Sequence, residues 1–380
     1  MREPTSMAVT PATTHESNDA PGSSTRPKVA VVYATPETVL DDVARAMELA
    51  EYSRYLPKGP ATSLKINISW QHYYPACSTT PWQLEGVVKT LRSGGYDELV
   101  PTHNGTVVVD ARVGAVNNKH TAVEAKYGLE SIYLEDARWV DFAPKSKMLA
   151  LDQVYPNGFQ VPEMLIGKNI VHLPTIKTHV FTTITGAMKN AFGGLLNFQR
   201  HWTHSLIHET LVDLLSIQKE IHPGVFAVTD GTFAGDGPGP RAMRWHQKNV
   251  ILASADQVAI DAVAARLMGL DPMSIKFIRL AHEAGLGNGN PSEIEVVGED
   301  ISEVNWHFNA SESTFASRGQ HLIYWGPLKP LERLLLRSPI APWAFLASNL
   351  YHNQYWLRFI GRRRVREAMK TGWGKLFQSY

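Results

Sequence analysis

Short apolar runs alternate along the chain with segments in which apolar residues recur at helical spacing. The apolar runs predict strands over residues 28–34, 64–70, 98–102, 130–134, 147–151, 169–173, 225–229, 249–253 and 294–297. The helical spacing predicts helices over residues 37–52, 81–93, 121–127, 184–195, 203–221, 256–268 and 273–284. This alternation favours an α/β fold, a layered, largely parallel or mixed sheet with helices on both faces. A helical extension is expected to follow it at the C-terminus.

The pattern of one predicted strand differs from the others. In residues 64–70 (LKINISW) apolar and polar side chains alternate, so Lys65 and Asn67 share one face. Strands that are buried on both faces usually read as continuous apolar runs. Two interpretations follow: an edge strand with one face in solvent, or a strand whose Lys65 and Asn67 line a cavity.

Composition narrows the classes of protein to consider. The 380 residues are 44% hydrophobic, enough to bury one large core or two moderate ones. The net charge of +1 gives no electrostatic argument for nucleic-acid binding. The single cysteine, Cys77, excludes an internal disulfide framework and a cysteine-ligated iron–sulfur cluster. Such cysteine usage suits a cytoplasmic location.

Composition also divides the chain into three regions. Residues 1–27, rich in Thr, Ser, Pro and Ala, are expected to be a disordered tail, residues 28–325 an α/β core domain, and residues 326–380 a basic aromatic helical extension. Residues 331–380 contain nine Lys and Arg, two acids and nine aromatics. That composition is typical of a segment that contacts an anionic membrane peripherally. The alternative is an arm that packs on the core or on a second subunit of a homodimer.

Residues 169–196 carry the densest group of candidate functional side chains. An apolar run there leads into Lys177, His179, Thr182, Thr183, Thr185, Lys189 and Asn190, and then into Gly193-Gly194. The predicted helix start near residue 184 offers free N–H groups that favour an anion, and the hydroxyls and lysines add donors. The alternative is a plain helix cap with Lys189 in solvent. No GK[ST] motif is present, so the chain has no ATP-binding signature.

Polar clusters follow four of the predicted strands directly. They are His103-Asn104-Gly105, Lys177 to His179, Asp230-Gly231 and Ser254 to Asp256. Open α/β sheets bind ligands beyond the carboxyl ends of their strands, so the four clusters are expected to converge on one crevice. The alternative is that they are ordinary polar loops.

Residues 230–244 combine glycines and prolines with Asp230, Asp236 and Arg241. A carboxylate beside an arginine suits acid–base or metal–anion chemistry, and Asp230 with Asp236 is a candidate pair for a divalent cation. The alternative is a structural loop. The prolines disrupt any dinucleotide-binding turn, so there is no NAD signature.

Three histidines suggest a metal site of a different kind. His201, His204 and His208 follow helical spacing at i, i+3 and i+7, and the last two could share a metal ion. The alternative is a set of packed, hydrogen-bonded histidines.

One acid falls inside an otherwise apolar predicted helix. Asp261 lies within residues 256–268, and a carboxylate on such a face needs a partner. The candidates are Arg266 and the loop that contains Arg241.

Three ordered motifs resemble the domain-of-unknown-function 362 family over roughly residues 60–300. They are HLPTIKTHVFTTITGAMKNAFGGL, DGTFAGDGPGPR and ILASADQVAIDAVAARLMGLDP. The resemblance implies an α/β domain and a ligand site around Lys177, His179, Lys189, Asn190, Asp230 and Asp256. Many members carry ferredoxin-type cysteine clusters, which this sequence lacks, so the redox role inferred for them does not transfer.

Two hypotheses about function follow. The first is an enzyme acting on a small carboxylate or phosphate, with or without the help of a metal ion. In it Lys177 and Lys189 bind the anion, His179 acts as acid or base, and Asp230 is also catalytic. Its expected substrate-binding residues are Lys65, Asn67, Asn104, Thr182, Thr183, Asn190, Arg241 and Asp256. The second is a non-catalytic ligand-binding or membrane-peripheral accessory protein that uses the same pocket and residues 331–380.

Overall fold

The computed structural model describes residues 26–106, 109–331 and 349–380. Its strands are β1 (Lys28–Tyr33), β2 (Thr62–Ile66), β3 (Leu99–His103), β4 (Ile132–Tyr133), β5 (Trp139–Phe142), β6 (Phe159–Pro162), β7 (Asn169–Leu173), β8 (Thr175–His179), β9 (Thr183–Ile184), β10 (Val225–Asp236), β11 (Arg244–Ser254) and β12 (Glu295–Gly298). Its α-helices are α1 (Val39–Leu49), α2 (Tyr52–Tyr55), α3 (Pro81–Ser93), α4 (Ala111–Asn117), α5 (His120–Tyr127), α6 (Leu151–Val154), α7 (Ala187–Asn190), α8 (Phe192–Leu195), α9 (Ile207–Ile221), α10 (Gln257–Leu267), α11 (Lys276–Glu283), α12 (Phe315–Tyr324), α13 (Arg362–Ala368) and α14 (Gly372–Ser379).

Within these residues ten strands form one mixed sheet, in the order β12-β1-β11-β10-β7-β2-β3-β4. The strands β10, β7, β2, β3 and β4 pair in parallel, whereas β11 runs antiparallel to both of its neighbours. β8 continues the line of β7, pairs in parallel with β10 and carries the short β9 on its other side. The mixed α/β architecture expected from the sequence is confirmed.

The two faces of the sheet are covered by different helices. Val29 and Val31 of β1 pack with α9, α10 and α11, whereas Ala30 and Val32 pack with α1 and α3. Successive side chains of a strand point to opposite faces, so a strand buried on both sides must be apolar throughout. The continuous apolar runs of the sequence therefore mark strands enclosed between two helical layers.

The edge interpretation of residues 64–70 is wrong. β2 lies between β3 and β7, its five residues are all buried, and it ends at Ile66. Its polar positions face buried polar groups, which explains an alternation that elsewhere would indicate solvent.

Three other predicted elements also differ. Residues 147–151 form no strand, and helix α6 begins at Leu151. The predicted helix 184–195 is β9 followed by the one-turn helices α7 and α8, because Thr183 (φ 66°) and Gly186 (φ 146°) have positive φ and cannot lie in a right-handed helix. Residues 230–244 are not one loop, since β10 extends to Asp236 and β11 begins at Arg244 as its hairpin partner.

The C-terminal segment 349–380 packs on the core, as one of the two interpretations expected. A π-helix over Leu350–Gly361 leads into α13 and α14. Trp373 donates a hydrogen bond to Asn249 at 2.8 Å and packs against Trp82 at 5.1 Å between ring centroids. No helix in the described part of the chain is both long and apolar enough to cross a bilayer. The expectations for residues 1–25 and 332–348 lie outside the described residues.

Candidate functional site

Four cations meet beyond the carboxyl ends of the parallel strands, and we call Lys65, Lys177, Lys189 and Arg200 the cation cluster. Burial, with the charge of Arg200, lowers the pKa of Lys65 to about 7. Burial, with the charges of Lys177 and Arg200, lowers the pKa of Lys189 to about 7. Burial also lowers the pKa of Lys177 to about 8 and that of Arg200 to about 10. Desolvation and mutual repulsion both disfavour the charged forms here.

Lys65 is fixed by the strand that carries it and by the loop after β3. Its Nζ donates to the carbonyl oxygen of Ile66 at 2.7 Å and to Oδ1 of Asn104 at 2.6 Å. The side-chain amide of Asn190 in α7 donates to the backbone oxygen of Lys65 at 2.8 Å. The sequence-predicted residues Lys65, Asn104 and Asn190 thus lie together.

Lys177 is held from the neighbouring strand. Its Nζ donates to Oγ1 of Thr175 at 2.5 Å and to Oδ1 of Asn67 at 3.2 Å. Asn67, which is half-buried, therefore points towards Lys177. Arg241 is held by the segment that follows β2, because its Nε donates a hydrogen bond to the carbonyl oxygen of Ser69 at 2.9 Å.

The cation cluster has no direct counter-charge among the described residues. No carboxylate oxygen there lies within 4.0 Å of a side-chain nitrogen of these four residues. By contrast, Arg244 at the end of the same sheet contacts Asp236 at 2.9 Å and Glu312 at 2.7 Å. The charge of Glu135 acts to raise the pKa of Lys65 and of Arg200, and that of Asp230 acts to raise the pKa of Lys177, against the larger effect of burial, but neither carboxylate contacts these nitrogens directly. Buried charges are normally in direct ion pairs, so this place is unusual.

His179 lies at the end of β8 and accepts hydrogen bonds through one ring nitrogen. Its Nδ1 accepts from the backbone N–H of Phe181 at 3.1 Å and of Thr182 at 3.4 Å. This pattern assigns the proton of the neutral ring to Nε2. Burial and the charge of Lys189 hold the pKa of His179 well below its ordinary value. The ring is therefore neutral at physiological pH.

Gly193 and Gly194 bring the α8 backbone against the other side of the cluster. A Cβ on Gly193 would lie 2.6 Å from Oδ1 of Asn104, and one on Gly194 would lie 3.1 Å from Cε of Lys65. A side chain at either position would displace the polar groups that the loop presents. Glycine here permits a close approach, in agreement with the sequence pattern.

The three threonines do not begin a helix. Thr183 lies in β9, the Thr182 hydroxyl donates to the carbonyl oxygen of Ile184 at 2.7 Å, and the Thr185 hydroxyl donates to that of Lys177 at 3.3 Å. These hydroxyls are used to hold the β8–β9 turn. The structure therefore places them in the backbone framework of the site and not at a helix N-terminus.

An internal carboxylate occupies the helix start that was expected to bind an external anion. Asp261 of α10 accepts from the backbone N–H of Ala187 at 2.6 Å and of Met188 at 3.1 Å. Burial raises the pKa of Asp261 to about 8. The expected ion pair with Arg266 or the Arg241 loop is wrong, since Arg266 donates to the carbonyl oxygen of Ser302 at 3.3 Å. Asp261 instead positions the short helix that carries Lys189.

Asp256 lies at the opposite edge of the sheet. It follows β11, which runs antiparallel to β10, so the carboxyl end of β11 lies beside the amino ends of the parallel strands. There it accepts from the N–H groups of Val258 and Ala259 as the cap of α10 and lines a cavity of about 480 Å³ beside Lys28 and Val225. The expected convergence thus fails for this cluster, because an apolar run does not reveal the direction of its strand.

The two aspartates of β10 do not meet as a cation site in this structure. Asp230 is fully buried. Its carboxylate accepts hydrogen bonds from the hydroxyl of Thr80, from Nε1 of Trp82 at 3.1 Å and from the backbone N–H of Thr232 at 2.6 Å. Six residues of extended strand separate it from Asp236, roughly 20 Å at the usual rise. Burial raises the pKa of Asp230. Asp236 is instead engaged in the Arg244 ion pair.

The histidines are packed side chains in the structure. His201 and His204 lie in a 3₁₀ segment over Phe198–Leu206, and His208 lies in α9. His204 hydrogen-bonds the carbonyl oxygen of His201 at 2.9 Å, and its ring stacks on Tyr324 of α12 at 5.5 Å. In the described part of the chain no three His, Cys, Asp or Glu residues are grouped as metal ligands would be. This arrangement matches the packing alternative.

Two elements of the site were missed in the sequence. Arg200 donates to the carbonyl oxygen of Gly105, and it is the only charged residue between Lys189 and Glu209. A lone arginine in an apolar, aromatic stretch is a usable signal, because such a residue needs a reason to be buried. Helix α12 packs on His204 and Phe181 through Tyr324, and nothing in its local pattern indicates that contact.

Comparison with known proteins places the chain in a family. The model of the domain of unknown function named DUF362 matches residues 63–266, a span that includes the cation cluster. The chain therefore belongs to the DUF362 family, as its motifs predicted. It is also similar to a thylakoid-associated protein of Synechocystis sp., with 29% identity over 134 residues, 33% of this chain and 40% of that protein. The chain thus spans less than half the length of this curated relative. No solved structure matches.

Proposed function

We propose that the protein is an enzyme that binds a small carboxylate or phosphate at the cation cluster and acts on it by electrostatic and acid–base catalysis. The observation that carries the proposal is that Lys65, Lys177 and Arg200 are buried, and Lys189 half-buried beside them, without a carboxylate within 4.0 Å among the described residues. A bound anion would supply the missing counter-charge. Fixed donors in a site that excludes water stabilise developing negative charge far better than solvent does.

The residues of the site divide into donors and one group able to move a proton. Lys65 and Lys177 are held by two hydrogen bonds each and would orient the anion. His179 would donate from Nε2. Lys189, with a pKa of about 7, is partly neutral at physiological pH, so we assign to it the acid–base role first considered for His179.

A thermal-shift screen with phosphate and small carboxylates tests this proposal, since a ligand that binds the folded state raises the melting temperature. Lys189→Ala should weaken binding of the best anion roughly tenfold or more while the protein remains folded. Unchanged binding in this variant would contradict the proposal. Lys375→Ala, an exposed lysine of α14, is the matched control and should bind normally.

A second candidate function is peripheral membrane association. Leu350, Tyr355 and Phe359 are 53%, 55% and 69% exposed, and the arginines at 358, 362, 363 and 366 are exposed beside them. Exposed apolar side chains among cations suit an anionic bilayer surface. The thylakoid association of the Synechocystis relative is in keeping with such a contact.

Vesicle co-sedimentation tests this second function without disturbing the core. Deletion of the whole C-terminus would remove the buried Trp373, so the double variant Tyr355→Ser, Phe359→Ser is preferable. We expect it to lose binding to vesicles of anionic lipid, whereas Val116→Ser, which removes an exposed valine of α4, should not. Equal binding of both variants, or none by the parent protein, would exclude the membrane function.

A further inference from the structure

Lys189 differs from the other two lysines of the cluster in having no hydrogen-bond acceptor among the residues that the structure describes. Lys65 and Lys177 each donate two hydrogen bonds, which hold their amines in place. Within the described chain Lys189 makes none, and its Nζ lies over the ring of Phe192 at 5.5 Å from the centroid. It is half-buried, whereas Lys65 and Lys177 are 1% exposed. Its amine is therefore free to form a new bond.

The surroundings of Lys189 favour the neutral amine, which is the nucleophilic form. Burial and the charges of Lys177 and Arg200 lower its pKa to about 7. A lysine in an apolar setting beside other cations is activated for attack on a carbonyl group. The same two cations attract an anion to that place, and Asp261 fixes the start of the helix that carries the amine.

We propose that Lys189 forms an imine with the carbonyl carbon of an anionic aldehyde or ketone, such as a 2-oxo acid. This inference rests on the proposed function and names its substrate class. The Lys189 nitrogen attacks the carbonyl carbon and forms a C–N bond. The C–O bond then breaks, and the oxygen leaves as water with the two protons that the amine gives up. The neutral imine nitrogen then takes up one proton from solvent, and the protonated imine is an electron sink for the adjacent carbon.

Reductive trapping tests the imine directly. The full-length protein is incubated with glyoxylate and cyanoborohydride, and the product is mapped by peptide mass spectrometry. We expect one carboxymethylated residue, Lys189, at substoichiometric glyoxylate. Lys375→Arg, which changes an exposed lysine, should give the same product. Adducts spread over exposed lysines, or concentrated on Lys65, would overturn the proposal.

Lys189→Arg separates the imine from anion binding. Arginine keeps the positive charge but cannot form an imine, so this variant should bind lactate and phosphate in thermal shift yet give no trapped product. Persistence of the product in this variant overturns the imine. Binding of lactate by the parent protein without any trapping by glyoxylate overturns the imine and leaves the proposed function standing. Binding of none of phosphate, lactate and glyoxylate removes both.

Discussion

Two groups of charged residues differ in the partners that the fold gives them. The first is the buried carboxylates of the helical layer, and the second is the cation cluster at the carboxyl ends of the strands. Asp213 accepts three backbone N–H groups, and Asp261 accepts two. Lys189 has no acceptor, and no carboxylate lies within 4.0 Å of the cation cluster in the residues described. Buried carboxylates whose oxygens accept several hydrogen bonds stabilise a fold, whereas buried cations without a carboxylate in contact cost stability and are retained at functional sites. The contrast separates structural charges from functional ones.

The largest effect is expected from removing a fixed cation of the cluster. Lys177→Met should weaken binding of the best anion roughly 10- to 100-fold, because a hydrogen bond to a charged group is lost. Stability should stay the same or increase, since an unpaired buried charge disappears. Titration calorimetry and urea unfolding measure the two quantities.

The matched control for that variant is Lys276→Met. Lys276 is an exposed lysine that pairs with Glu209 at 2.5 Å, so its loss should leave anion affinity unchanged. If Lys177→Met bound the anion normally but unfolded more easily, Lys177 would stabilise the fold and would not bind the ligand. The two groups of charges would then not differ in function.

The opposite outcome is expected on the carboxylate side. Oδ1 of Asp213 accepts from Leu149 at 2.7 Å, and Oδ2 accepts from Ala150 and Leu151 at 2.8 and 2.9 Å. Asp213→Asn places an NH₂ group against at least one of these donors, which should lower the free energy of unfolding by about 1–3 kcal/mol. Anion affinity should not change.

The control is the exposed Asp152, for which Asp152→Asn should alter stability by no more than about 0.5 kcal/mol. Urea unfolding compares the two variants directly. If Asp213→Asn weakened anion binding as strongly as Lys177→Met does, the two regions would not be functionally distinct.

The sequence predicts which residues belong to these two groups better than it predicts the residues that they contact. The alternation of apolar runs with helical spacing indicated the α/β class, and the density of polar residues in and after β8 indicated Lys177, His179 and Lys189. The partner of Asp261 lies 74 residues away, so no local pattern could reveal it. Asp256 was misplaced because strand direction is set by the topology and not by hydrophobicity. The predicted helix 184–195 failed because Gly186, at a φ of 146°, lies outside the right-handed helical region, which the apolar spacing does not reveal.

The dependence on pH has opposite signs for ligand binding and for stability. Lys65 and Lys189 have a pKa of about 7 and Lys177 of about 8, and a bound anion must raise all three. Binding therefore takes up protons, and affinity should fall by up to about tenfold per pH unit for each lysine above its pKa. Calorimetry at pH 8 in two buffers of different ionisation enthalpy measures that uptake.

Stability of the free protein should change in the other direction. The unfolded lysines titrate near their ordinary value of 10.5, so between about pH 7 and 10.5 the unfolded state binds more protons than the folded state. The contribution of these lysines to the free energy of unfolding must then rise with pH through that window. Lys177→Met removes one such group and should make the rise shallower, while Lys276→Met should leave it unchanged. Anion binding that is independent of pH, or that strengthens from pH 7 to 9, would mean that the lysines are not where the anion binds.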